Sequence, residues 1–275
     1  MVKKIIHFSD VHFRTFKGLE QYSETLSTAI TMFSEIVEKY GKDETRIVIA
    51  GDLVNDKLNV SNEQINAVSS FLSDLSSLCK VVVLGGNHDF NVNNRDRIDT
   101  ISTIVDLSKY DNVLYIDKEC EFKSSCYTDD NIIWCNYSIF DDYKKPDWEI
   151  CKNYNENGVC VGLFHGVLVG AKMDSGLKSS SGISPSVFEG LDFVCCGHIH
   201  ERQELEHDGV KIVYSGSIMQ QNKGEKVTGH GFCLWDVETK TYESIDIPSK
   251  YGIYKISIDS IDDIDDNKEV FLNLK

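Results

Sequence analysis

The chain has 275 residues, of which 41% are hydrophobic, with 19 Gly and only 3 Pro. This composition fits one large domain, or one domain with a small appendage, and excludes a disordered or collagenous chain. The net charge of −16 argues against tight non-specific adhesion to nucleic acid, but bound cations can reverse charge locally, so chemistry on nucleic acid stays open.

The N-terminus opens with a β-rich run, Val2–Phe8, that ends at Ser9-Asp10. It is too short, and lacks the small-residue cleavage site, to be a signal peptide. From Tyr22, the apolar residues Leu26, Ile30, Phe33, Val37 and Tyr40 recur at three- and four-residue steps, which predicts a helix stopped by Gly41. Ile47–Ala50 reads as a second strand, ending at Gly51-Asp52. Ser61 is placed to cap a helix that buries Ile65, Val68, Leu72, Leu75 and Cys79. Val81–Leu84 is a third strand, followed by Gly85-Gly86-Asn87-His88-Asp89, and Ile98–Leu107 reads as another helix. None of the apolar runs is long enough to span a bilayer, so no membrane association is expected.

Beyond Asp111 the pattern changes to strands: Val113–Ile116, Ile132–Asn136, Val159–Phe164, Phe193–Cys196, Val210–Tyr214 and Phe232–Val237, with a hairpin turn at Glu206–Gly209. The polar stretch Tyr137–Gly158 reads as a surface excursion. A β-α-β-α-β half followed by a strand-rich half predicts an α/β fold, in which two mixed β-sheets pack face to face with flanking helices. Residues 1–247 form this domain. From Pro248 a further unit is expected at 248–275, the start of a capping domain that is cut short or simply small, with strands at Tyr251–Ile258 and Val270–Leu274. The nine cysteines include no C-x-x-C pair, so they are read as small buried hydrophobes in a reducing, cytoplasmic setting.

Five blocks carry the chemistry, each after an apolar β run. They supply Asp10 and His12, then Asp52, then Asn87 and His88, then His165, and finally His198 with His200. Strand ends of α/β sheets are where ligands collect, and alternation along a strand would aim residues two apart at one point. Carboxylates, one amide and imidazoles suit two divalent metal ions, with Mn2+, Mg2+, Fe2+ and Zn2+ all open. Asp52 is the natural bridge. Asp10, His12 and His200 are assigned to one ion, and Asn87, His165 and His198 to the other. Such a pair can clamp phosphate oxygens and acidify a water, with His88 at the rim as general acid and Asp89 either orienting that ring or capping the next segment. His7 is expected in the core or behind the ligands, His207 in an exposed turn, and His230 in a turn, with a substrate pocket as the alternative. Lys172, Lys178, Lys223, Lys226, Arg95 and Arg97 default to solvated surface, and Glu201 and Arg202 are given no role.

These blocks resemble the calcineurin-like metallophosphoesterase superfamily over roughly Met1–Ile247. Phe8-Ser9-Asp10-Val11-His12, Gly51-Asp52-Leu53-Val54 and Gly85–Asp89 look like its SbcD-type DNA-repair nuclease branch, as do Cys196–His200, Tyr214–Ser217 and Gly229–Phe232. The resemblance implies an αββα sandwich and a manganese-dependent exonuclease or endonuclease acting on DNA ends. It also implies an SbcC-type ATPase partner and a homodimer. Carried over residue by residue, it gives the same seven metal ligands and His88 as the catalytic histidine. A small-molecule phosphodiesterase or nucleotidase is the alternative. A phosphoprotein phosphatase fits less well, because Gly51-Asp52 is not followed by an Asp-Arg-Gly triplet.

Overall fold

A computed structural model of the chain describes residues 1–14, 19–91, 93–94, 97–147, 157–173, 176–253 and 260. In chain order the elements begin with β1 (Lys4–Phe8), α1 (Leu19–Tyr40), β2 (Thr45–Ala50), α2 (Asn62–Leu78), β3 (Lys80–Leu84), α3 (Thr100–Ser108), β4 (Val113–Tyr115) and α4 (Ile116–Glu119). There follow β5 (Ser125–Asp129), β6 (Ile132–Tyr137), β7 (Val159–His165), β8 (Phe193–Gly197), β9 (Gln203–His207), β10 (Val210–Tyr214), β11 (Gly231–Asp236) and β12 (Thr241–Asp246).

The strands form two six-stranded sheets, ordered β12-β11-β1-β2-β3-β4 and β5-β6-β7-β8-β10-β9. Both are mixed: β1 to β4 run parallel, while β11 and β12 are antiparallel additions. In the second sheet β6, β7, β8 and β10 are parallel, with β5 and β9 attached antiparallel at the edges.

Strand alternation separates three apolar layers. Ile6, Phe8, Ile47, Ile49, Val81 and Val83 face the helices, where Phe33, Val68, Leu72 and Ile104 meet them. Ile5, Val48, Val82, Trp134, Leu163, Phe193 and Trp235 fill the space between the sheets, and Phe193 stacks on Trp235 with centroids 4.2 Å apart. Phe188, Leu168 and Ala171 cover the outer face of the second sheet. A polar staple joins the layers: Asp129 of β5 accepts from Arg46 of β2 at 2.8 and 3.2 Å and from Lys80 of β3 at 2.9 Å.

Several boundaries differ from the sequence reading. Asp99 caps α3 by accepting from the Ser102 N–H, so Ile98 stays outside the helix and is 80% exposed. Ile116 leaves the strand to open α4. β5 and β12 were not expected, and β9 was implied only as the first arm of the hairpin at Glu206–Gly209. They expose at least one face, and their sequences therefore lack a continuous apolar run. Residues 251–253 are irregular, and the rest of the two strands expected after them lies outside the described residues. Seven of the eight described cysteines are buried. No helix among the described residues is long and apolar enough to cross a membrane.

Candidate metal centre and active site

The parallel strands β1, β2, β3, β7 and β8 deliver their C-terminal ends to one edge of the sandwich. Asp10 and His12 follow β1, Asp52 follows β2, Asn87 and His88 follow β3, His165 ends β7, and His198 and His200 follow β8. The convergence of Asp10 and His12 does not come from strand alternation. Both have left-handed backbones, φ 54° and 50°, as does Asp52 at 55°, and His198 has φ 96°. Such conformations cost about 1 kcal/mol or more each and persist where surrounding structure over-determines them. Here the first two loops are laced together by Asp10 N–H to Gly51 O (3.1 Å), His12 N–H to Asp52 O (3.0 Å) and Phe13 N–H to Leu53 O (2.8 Å).

Each carboxylate commits one oxygen to the protein and turns the other to the centre. Asp10 Oδ2 accepts from Ser9 Oγ (2.5 Å) and from the His198 N–H (3.0 Å). Its Oδ1 is buried without a hydrogen-bond partner, 3.7 Å from both His12 Nε2 and His200 Nε2. Asp52 Oδ1 accepts from the His88 N–H at 2.7 Å, while Oδ2 lies 3.6 Å from His12 Nε2 and 3.3 Å from His165 Nε2. Asn87 Oδ1 lies 2.7 Å from His198 Nδ1 and 3.2 Å from His165 Nε2. All seven expected donors are thus brought together, as Asp10–His12–His200 and as Asp52–His165–His198 with Asn87 beside it, and a third overlapping group, His12–Asp52–His88, draws in His88.

Two of the four ligand-type histidines are oriented from behind. His165 Nδ1 bonds Ala50 O at 2.7 Å, and His200 Nδ1 bonds Glu225 Oε1 at 2.8 Å. Fixing one ring nitrogen in this way presents the lone pair of the other to a cation. Buried oxygens and ring nitrogens gathered with their lone pairs inward fit divalent ions. Electrostatics agree: burial alone would raise the Asp10 carboxyl, but His12, His165 and His200 hold it well below the usual carboxylate range. Burial would lower His165, yet Asp52 pulls it up to about 9. A cation would replace that proton.

Close approach dictates a glycine at two points. A Cβ on Gly86 would lie 2.2 Å from Asp52 Oδ1, and one on Gly197 would lie 2.0 Å from Ala50 O. At Gly86 it is the carboxylate of Asp52 that needs the space.

Asp89 neither orients His88 nor caps the next segment. Fully buried, it accepts from the backbone N–H groups of Asp52 (2.9 Å), Val54 (3.0 Å) and Gly86 (2.8 Å), clamping the second ligand loop to the third. The His88 ring is held instead by Asn55, whose carbonyl lies 2.6 Å from Nδ1. That contact places the neutral ring's proton on Nδ1, so Nε2 can donate only when the ring is charged. His88 lines the site cleft with His12, Asp52, Asn87, His198 and His200.

The three remaining histidines have structural surroundings. His7 is buried between the sheets, with Nε2 3.2 Å from Cys196 O, and burial pushes it down to about 3. His207 ends β9 and pairs with Glu189 at 3.1 Å. His230 braces a loop, with Nδ1 3.0 Å from Ser217 Oγ and Nε2 2.7 Å from Lys226 O. Lys172 and Lys226 both pair with Glu201, at 2.9 and 2.8 Å. Arg95 lies outside the described residues. Asn55 and Glu225 were missed in the sequence because neither belongs to a strand-end block.

A two-sheet sandwich whose strand ends gather carboxylates, an amide and imidazoles for divalent cations defines a metallophosphoesterase. Residues 3–202 match the family profile described as Calcineurin-like phosphoesterase, and the chain belongs to that family. It is 30% identical over 267 residues to uncharacterized protein R555 of Acanthamoeba polyphaga mimivirus, a match covering 94% of this chain but only 19% of that relative's length. It is 25% identical over 223 residues to protein 244L of Invertebrate iridescent virus 6, provisionally named a phosphoesterase, covering 81% of this chain and 72% of that one. Among solved structures it is similar to GAP50, described as the anchor in the inner membrane complex of Plasmodium. The TM-score is 0.50 with 11% identity, covering 99% of this chain and 95% of that one, a likeness of fold alone.

Proposed function

We propose that this phosphoesterase hydrolyses phosphodiester bonds in DNA with two divalent cations, Mn2+ foremost, as the nuclease subunit of an SbcCD-like repair or recombination complex. The observation that carries the reading is that seven metal-type donors cluster at one edge of the sandwich, and five of them, His12, Asp52, Asn87, His198 and His200, line one cleft with His88. Two cations there would supply the positive charge that neutralises phosphoryl oxygens. Asp10, His12 and His200 would hold one, Asn87, His165 and His198 the other, and Asp52 both. His88, in its charged form, would hand a proton from Nε2 to the leaving oxygen.

A polymeric substrate is supported by the shape of the site. The cleft around His88 has a volume of about 210 Å³, below the roughly 300–1,000 Å³ of pockets that enclose small ligands. It adjoins, across His200, a larger cleft of about 540 Å³ lined by Arg202, Lys226 and His230. A strand could run from one to the other. An SbcC-type ATPase, and a second copy of the chain, would add the DNA affinity that a net charge of −16 does not favour. Residues 248–275 would open the cap, and the complex would work in the cytoplasm. The same acidity favours the second reading, a small-molecule phosphodiesterase or nucleotidase.

The test is a panel of linear duplex DNA, single-stranded DNA, a cyclic nucleotide and bis(p-nitrophenyl) phosphate, each with Mn2+ or Mg2+. DNA cleavage that stops on chelation is expected. Hydrolysis of the small esters with DNA untouched favours the second reading, and metal binding without hydrolysis overturns both.

A further inference from the structure

Arg14 lies two residues beyond His12 and lines the same cleft as His12, Asp52, Asn87, His88 and His200. Its partners among the described residues are neutral. Nη2 donates to the Gln221 backbone carbonyl and, at 3.4 Å, to Gln221 Oε1. Nε is buried and has no hydrogen-bond partner among the described residues. In the adjoining cleft, Lys172 and Lys226 share the carboxylate of Glu201, and Arg202 pairs with Asp246 at 2.9 Å. In a chain this acidic, a partly buried guanidinium without a carboxylate is conspicuous.

Its placement is built rather than incidental. Gln221 is itself buried, and its Nε2 donates to Asp10 O (3.3 Å) and Val11 O (3.1 Å). Gln221 Oε1 also accepts from the Tyr22 hydroxyl at 3.1 Å, and its backbone N–H donates to Glu225 at 2.8 Å. The residue that positions Arg14 therefore also ties together the Asp10–His12 loop and the Glu225 brace of His200.

We propose that Arg14 is a substrate-binding residue, whose guanidinium takes a non-bridging oxygen of the phosphoryl group in the cleft. This rests on the phosphodiesterase reading above. Removing a cation from water without a counter-charge is unfavourable. The missing counter-charge arrives with the ligand. A ligand that supplies a counter-charge is an anion, as it would be beside cations that Asp10 and Asp52 would hold, and a guanidinium fork matches phosphate oxygens in a way an ammonium does not. A purely structural Arg14 that only anchors Gln221 would affect melting and leave anion affinity alone.

The experiment uses the full chain, loaded with Mn2+, as wild type, Arg14→Gln and Arg14→Lys. Binding of inorganic phosphate is titrated calorimetrically, metal content is measured, and KM and kcat are taken on bis(p-nitrophenyl) phosphate and linear DNA. Loss of one charge-assisted bond predicts that Arg14→Gln raises the phosphate Kd and KM about 10-fold or more, with metal content kept and kcat within about threefold. Arg14→Lys keeps the charge and the anchor, so it should melt like wild type and weaken phosphate by a smaller factor. Should Arg14→Gln misfold, the lysine variant decides. Phosphate Kd and KM within about twofold of wild type, in a folded, metal-loaded variant, overturn the assignment, as does a wild type that binds no phosphate. A wild type that binds phosphate in an Arg14-dependent way but hydrolyses neither ester sinks the proposed function and leaves Arg14 as an anion site.

Discussion

Replacing Glu225 by Gln should weaken one metal position selectively. Glu225 accepts from His200 Nδ1 and the Gln221 N–H, both at 2.8 Å, from Asn222 Nδ2 at 2.5 Å and from Ser217 Oγ at 3.3 Å. Burial would raise its pKa, but the His200 bond and the Gln221 N–H keep it below the ordinary value, so it acts as a carboxylate. Glutamine keeps the shape but has one acceptor oxygen, and its amide group must face a donor. One charge-assisted bond, worth about 1.5–3 kcal/mol, is lost. If it is the bond to His200, the ring is freed to turn and Nε2 no longer points at Asp10. Removal of such a brace typically costs 10–100-fold in metal affinity. A calorimetric Mn2+ titration should therefore show one of two sites weakened by that factor, with the other within about threefold. Equal affinity at both sites in the variant and the wild type would refute the role given to Glu225.

His88→Ala should retain both metals and lose about 10²–10⁴-fold in kcat, measured on bis(p-nitrophenyl) phosphate beside metal analysis; full activity would remove His88 from the chemistry. Burial lowers the His88 pKa, and the acid must be protonated, so kcat should fall as pH rises through that depressed value, a limb absent from the alanine variant. Gly86→Ala should cost about 1–3 kcal/mol in urea unfolding and disturb Mn2+ binding, because its Cβ would stand 2.4 Å from Asp52 N; an unchanged titration would contradict the packing argument. Asp129→Ala strands Arg46, which is only 7% exposed, and should cost about 3–5 kcal/mol at pH 7. Burial would raise the Asp129 pKa, but Arg46 and Lys80 hold it below 3.8, so its contribution is present above about pH 4 and lost as pH falls through the depressed value. The gap between variant and wild type should accordingly narrow in acid unfolding series.

The strands that place the site were legible because they are buried on both faces. Lys80–Leu84, with Val81 and Val83 against helices and Val82 and Leu84 between sheets, reads as an unbroken apolar run. Edge strands such as Gln203–His207 bury little and carry no such mark. The metal-type donors were legible from residue type and their position after strands. The groups that hold them were not. Asn55 acts through a backbone carbonyl, which no side-chain pattern encodes, and Glu225 and Gln221 reach the site from a loop far along the chain. Asp89 was misread because adjacency to His88 stood in for contact, whereas its carboxylate points back to the backbone of Asp52, Val54 and Gly86.

The most direct measurement is anomalous diffraction at the manganese edge from crystals grown with Mn2+. Two peaks about 3.5–4 Å apart, flanking the Asp52 carboxylate, are predicted. One site near His12 and His200, with the Asn87, His165 and His198 group bare, would contradict the pairing, and peaks remote from Asp52 would contradict the whole assignment.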